Sequence, residues 1–173
     1  MQQVAWFDRT FSFSQEQNIF PSIIERLSGT PLRLEYKIRQ VSTKQLTARK
    51  KNKWSIQENV GHLVDLEPLW QGRLEDIING EEYLRATDLS NQQTDAANHN
   101  EREVEMLLSD FRRIRYTTLE KLNGLTEEQV YQHALHPRLK TPMRVIDLFL
   151  FVAEHDDHHL ARMTELDSLL SYE

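Results

Sequence analysis

Apolar residues recur at helical spacing through four long stretches of the chain, and the breaks between them carry capping residues, glycine and proline. The first stretch runs through Phe20, Ile23, Ile24 and Leu27 and is interrupted at Ser28-Gly29. Thr30-Pro31 then offers an N-cap and a first-turn proline, so the two pieces are expected to form one bent helix. The second opens on Ser55-Ile56-Gln57-Glu58, where the serine is placed to cap the N3 amide and the glutamate to reach back to the serine amide. It is predicted over residues 55–78, with Gly80 just beyond and a kink or break at Pro68, which lacks an N–H for the i→i−4 bond. The third spans residues 100–122 and stops at Asn123-Gly124. The fourth is predicted to start at Thr141-Pro142 and to continue to Leu170.

Between the third and fourth stretches, Thr126-Glu127-Glu128-Gln129 is a further helix-start signature and predicts a short extra helix. The Asn/Gln/Thr-rich segment from Ser90 to Asn98 reads as a connecting loop. With Gly and Pro scarce and β-branched runs few, the pattern implies an all-α fold, a four-helix bundle. No low-complexity linker or repeat divides the 173 residues, so residues 1–173 are expected to form a single domain.

Composition narrows the chemistry. Cysteine is absent, which removes disulfides, thiolate ligands and a cysteine nucleophile, so any thiol chemistry needs a thiol from outside. A net charge of -6 gives no broad attraction for a phosphate backbone, and nucleic acid is not an expected partner. The basic run Lys44 to Lys53 is read as a solvated loop. No stretch approaches the ~20 apolar residues needed to cross a bilayer, and the opening residues show neither a basic n-region nor an apolar h-region. The expectation is a cytoplasmic protein with no membrane partner.

The fourth stretch contains Glu154-His155-Asp156-Asp157-His158-His159-Leu160. Steps of three and four residues put Leu148, Val152, His155, His159, Met163 and Leu166 on one stripe, and Phe151, Glu154, His158, Arg162 and Glu165 on its more polar neighbour. On the second helix the same walk gives Asn59, His62, Leu66 and Leu69. Three imidazoles, of His62, His155 and His159, are therefore predicted to enter the bundle interior. Buried polar groups need partners, and one divalent metal ion would satisfy all three while leaving open positions for water. On spacing alone the bland reading stays open: an i,i+4 pair can arise by chance among seven histidines, and a lone histidine on an apolar face is more often a hydrogen-bonded core residue.

The segment Trp54-Ser55-Ile56-Gln57-Glu58-Asn59-Val60-Gly61-His62-Leu63-Val64-Asp65, continuing to Trp70, resembles the second-helix motif of the DinB-like superfamily. Ala153 to Leu160 resembles its fourth-helix motif, and Trp6-Phe7-Asp8-Arg9 with Phe11-Ser12-Phe13 is similar to its opening. The resemblance implies a DinB/YfiT-like four-helix bundle in which His62, His155 and His159 bind Ni²⁺ or Zn²⁺. The chain departs from many members after the last histidine, where Leu160-Ala161-Arg162-Met163 replaces an Arg/Gly/Gln run.

The family includes enzymes that add bacillithiol to electrophiles or isomerise maleylpyruvate with mycothiol, and many members without known activity. The expected function is therefore a metal-dependent thiol transferase or hydrolase acting on a small molecule, the former with a low-molecular-weight thiol as co-substrate. A non-catalytic metal-binding stress-response module and a purely structural bundle are the alternatives. Asp65, one turn from His62, is the candidate supporting carboxylate or general base, with Asp156 beside His155 as runner-up. Trp54, Trp70, Phe149 and Phe151 are read as core, the loop histidines His133 and His136 as solvated, and a homodimer through an exposed helix face is compatible with the fold.

Overall fold

The computed structural model describes residues 4–13, 18–50 and 53–171. Four long helices dominate it: α1 (Phe20–Ile38), α3 (Ile56–Ile78), α5 (Val104–Asn123) and α7 (Val145–Leu170). Short helices α2 (Thr43–Thr47), α4 (Gln92–Ala96) and α6 (Glu127–Tyr131) lie in the three connections. The principal contacts run around a ring, with α1 and α3 each packed on both α5 and α7. Helices α1 and α3 are thus diagonal although consecutive among the long helices, and so are α5 and α7. The neighbour relation that matters for chemistry is α3 against α7, because it brings His62 to the His155–His159 pair.

Local signals explain most boundaries. Ser55 Oγ accepts the Glu58 N–H at 3.1 Å and Glu58 Oε2 accepts the Ser55 N–H at 2.8 Å, which is the predicted capping box. Thr126 and Gln129 cap α6 in the same way, so the short extra helix is present. The expected break at Pro68 is absent, and α3 continues through it. Pro68 lies on the exposed side, where water can serve the carbonyl its ring leaves without a donor. The interruption expected at Ser28-Gly29 is absent too, and α1 is one helix through Pro31. There the carbonyl that Pro31 cannot serve, Leu27 O, accepts from Arg115 Nη1 at 3.2 Å.

Two further expectations are corrected. The fourth helix does not start at Thr141-Pro142: residues Pro142–Arg144 form a strand, β2, antiparallel to β1 (His133–Leu135), and α7 starts at Val145. Its start signal is Asp147, which accepts the Arg144 N–H at 3.0 Å, while Pro142 tolerates a ribbon end because it has no N–H to pair. The segment read as a loop from Ser90 to Asn98 holds α4, and a 3-10 turn at His99–Glu101 precedes α5, which begins four residues later than predicted.

The apolar interior is divided in two. One cluster contains Ile23, Leu27, Leu74, Phe149 and Val152, the other Leu34, Val60, Leu63, Phe111, Leu160 and Leu166. Between them each long helix contributes a buried polar residue: Thr30, Glu67, Arg115 and Asp156, all 1% exposed or less. Arg115 donates to Glu67 Oε1 at 2.8 Å through Nε, and to Asp156 through Nη1 at 2.6 Å and Nη2 at 3.1 Å. Thr30 donates to Asp156 Oδ2 at 2.8 Å and Thr118 to Glu67 Oε2 at 2.6 Å. Burial opposes charge on Arg115, but the two carboxylates outweigh it and raise the guanidinium pKa.

Breaking a buried ion pair by removing one partner costs about 3–5 kcal/mol. Arg115→Met, which leaves two carboxylates facing one another, is expected to lower unfolding stability by about that amount in urea titration. A midpoint within error of the wild type would show that this layer contributes nothing to stability.

Candidate metal centre

One potential ligand atom from each of His62, His155 and His159 lies within 4.8 Å of the others, and all three residues are buried. His155 and His159 are one turn apart on α7, with their Nε2 atoms 3.2 Å apart. Two nitrogens roughly 2.0–2.1 Å from a tetrahedral ion stand about 3.3 Å apart, so this pair already has the spacing of two ligands.

The outer nitrogens decide which ring atoms face inward. Asn59 Nδ2 donates to Ser55 O at 2.7 Å, which turns its Oδ1 toward His159 Nδ1 at 2.8 Å. An amide oxygen can only accept, so His159 carries its proton on Nδ1 and presents the Nε2 lone pair to the centre. His62 Nδ1 lies 3.0 Å from Thr94 Oγ1, and Thr94 donates its own hydrogen to Asp65 Oδ2 at 2.8 Å. His62 therefore donates from Nδ1 to Thr94, and its Nε2 is also free to act as a ligand. His155 has no such anchor: its Nδ1 is buried without a hydrogen-bond partner among the described residues, and its ring meets Trp6 and Trp70 at centroid distances of 5.0 and 5.8 Å.

Asp65, expected as a supporting carboxylate, stands behind Thr94, one residue removed from His62. The same Oδ2 accepts from His99 Nε2 at 2.9 Å. Burial alone would raise the Asp65 pKa, but the bonds from His99 and Thr94 hold it below the usual carboxylate range. Gly61 makes this arrangement sterically feasible, since a Cβ there would stand 2.2 Å from the His99 ring. Asp156 does not support the histidines; its carboxylate is taken by Arg115 and Thr30. Asn59 was legible as a member of the His62 stripe, whereas Thr94 and His99 lie in a connection whose sequence carries no periodic signal.

The histidines stand at the wall of an open cavity of about 1080 Å³. Phe149 and Trp70 belong to the core as expected, but Trp70 also lines this cavity together with Trp54 and Phe151, and Trp54 is centred 4.6 Å from His62. His158 also lines it, half-buried and outside the triad, and so does His136, whereas His133 is exposed. Burial lowers the pKa of His62 to about 4 and those of His155 and His159 well below the ordinary value, with mutual repulsion adding to the effect. The rings are neutral near pH 7, the protonation state a metal ligand needs.

That depression sets a pH dependence for the metal-free chain. The unfolded chain protonates these histidines near pH 6.5 while the folded one does not, so their share of stability is complete above about 6.5 and is lost as pH falls toward 4. Melting temperatures of chelator-treated protein are expected to drop between pH 7 and pH 5, and a flat profile across that interval contradicts the neutral triad.

The profile of the DinB superfamily matches residues 26–163. The solved structure of YfiT from Bacillus subtilis, described as a probable metal-dependent hydrolase with an unusual four-helix bundle topology, superposes with a TM-score of 0.81 at 20% identity, over 94% of each chain. No curated protein matches in sequence. At that identity the likeness to YfiT concerns the fold, and the match over most of the length, together with the histidine triad, leads to one conclusion: this chain belongs to the DinB superfamily.

Proposed function

We propose that the chain is a divalent-metal-dependent hydrolase with His62, His155 and His159 as ligands. The observation that carries this reading is the hydrogen bonding of the outer nitrogens, which leaves Nε2 of His159 and of His62 unprotonated in a cluster whose potential ligand atoms lie within 4.8 Å of one another. The description of YfiT as a probable metal-dependent hydrolase supports the reaction class. An ion such as Zn²⁺ or Ni²⁺, if held by these three histidines, would supply Lewis acidity beside the cavity. Asn59 holds the His159 ring, and Asp65 acts through Thr94 as a positioning residue for His62. Trp6, Trp54 and Trp70 give the cavity an apolar wall beside the histidines.

Thiol transfer is the second reading, and the cavity favours it. Its volume of about 1080 Å³ exceeds that of most small-ligand pockets, leaving room for a substrate and a thiol that this cysteine-free chain lacks.

Protein purified without a metal-affinity tag is expected to hold about one metal per chain, and His155→Ala to lose it while keeping its helical circular dichroism. No metal in the wild type even after reconstitution overturns the proposal. Metal-dependent hydrolysis of 4-nitrophenyl acetate without added thiol supports the first reading; conjugation of an added thiol to 1-chloro-2,4-dinitrobenzene faster than the uncatalysed reaction, and lost in His155→Ala, supports the second. Loss of an outer partner of a ligating histidine typically weakens metal affinity about 10–100-fold, so Asn59→Leu and Asp65→Asn are expected to do so in chelator competition.

A further inference from the structure

Eleven residues separate His62 from Arg73 on α3, three turns that return to nearly the same helix face. Leu66, Leu69 and Trp70 lie between them on the cavity wall, so this face has a ligand at one end, an apolar middle and a guanidinium at the other end. Arg73 is only 3% exposed. Its Nε donates to Arg85 O at 3.2 Å and its guanidinium carbon sits 5.6 Å from the centre of the Trp70 ring. Its two terminal nitrogens have no hydrogen-bond partner among the described residues.

The carboxylate closest to serving it is already engaged. Asp76 accepts from Arg85 through the backbone N–H at 2.7 Å and through Nε and Nη2 of the side chain. Elsewhere on the wall, Glu165 pairs with Arg162, and Asp88 accepts the N–H groups of Ser90 and Gln92 at 2.8 and 2.7 Å. Burial lowers the Arg73 pKa to about 10 despite Asp76, so the group stays charged at neutral pH and lacks a full counter-charge. His136, on the same wall and near enough for the Arg73 charge to add to burial in lowering its pKa, adds a neutral donor. Its Nδ1 accepts the N–H groups of Arg138 and Leu139 at 3.3 and 3.2 Å, which leaves the ring proton on Nε2.

We propose that Arg73, assisted by His136, is the docking site for a carboxylate on the substrate, whose reacting end lies at the histidine triad. The substrate is thus a small anion with an apolar body, its single carboxylate matched to the two free nitrogens of the guanidinium fork. Trp70 links the two ends: its ring centre is 5.6 Å from the Arg73 guanidinium and 5.8 Å from the centre of the His155 ring, within the span of an ordinary metabolite. The proposal rests on the metal-dependent reading for what happens at the triad, though not for the anion site itself.

The test uses the full chain loaded with Co²⁺, with 6-mercaptohexanoate and its neutral analogue 6-mercaptohexan-1-ol as probes, read by the sulfur-to-cobalt absorption band. The acid is expected to bind about tenfold or more tightly than the alcohol. Arg73→Gln is expected to erase that preference without changing alcohol affinity, and Arg73→Lys to keep part of it. Equal affinities in the wild type, or a preference that survives in a folded Arg73→Gln, overturn the proposal. If no cobalt spectrum forms, the metal reading has failed, and hexanoate with metal-free protein decides the anion site: it raises the melting temperature of the wild type and not of Arg73→Gln if Arg73 docks it, and neither if it does not.

Discussion

The bundle is organised around one buried guanidinium. Arg115 joins carboxylates from two other helices and a backbone carbonyl from a third, at the level where the apolar core divides. Apolar packing is tolerant of small shifts along a helix axis, whereas a bidentate contact to Asp156 combined with a bond to Glu67 is satisfied at one register only. The same guanidinium serves the Leu27 carbonyl, which is how a proline sits in the interior of α1 without ending it. Helix continuity and helix register therefore share a cause.

Register is what the candidate metal centre needs. Two of its histidines come from α7 and one from α3, so their convergence depends on the axial position of one helix against the other. Asp156 follows His155 directly and Glu67 lies five residues beyond His62, so the ionic layer holds both helices within about two turns of the triad. Ligand identity, in turn, depends on bonds made away from the centre. Asn59 and Thr94 take the outer protons of His159 and His62, and the lone pairs face inward as a result.

Much of this was readable before the fold was known, and what was missed shares a physical character. Periodic features transfer directly: the four helices, the Ser55–Glu58 capping box and the burial of His62, His155 and His159 all follow from spacing. Long-range polar partnerships do not. Glu67, Arg115 and Asp156 look like ordinary surface charges on amphipathic helices until the helices are brought together. For the same reason Asp156, the second choice after Asp65 as a supporting carboxylate, belongs to Arg115 instead. Proline was over-read in each direction, since a partner from another helix or access to water can replace the bond it removes, and Thr141-Pro142 imitates a helix start while forming one side of a ribbon. Thr94 and His99 carry no pattern at all.

Thr94 belongs to α4, a helix of five residues in the connection between α3 and α5. A helix so short has little stability of its own. With Thr94 displaced, the His62 proton is free to occupy either ring nitrogen, and only one of those tautomers can ligate through Nε2. Order in this connection and the tautomer of His62 are consequently linked equilibria: any ligand that selects one tautomer of His62 would also select the folded form of α4, and its apparent affinity would include the free energy of arranging residues that never touch it.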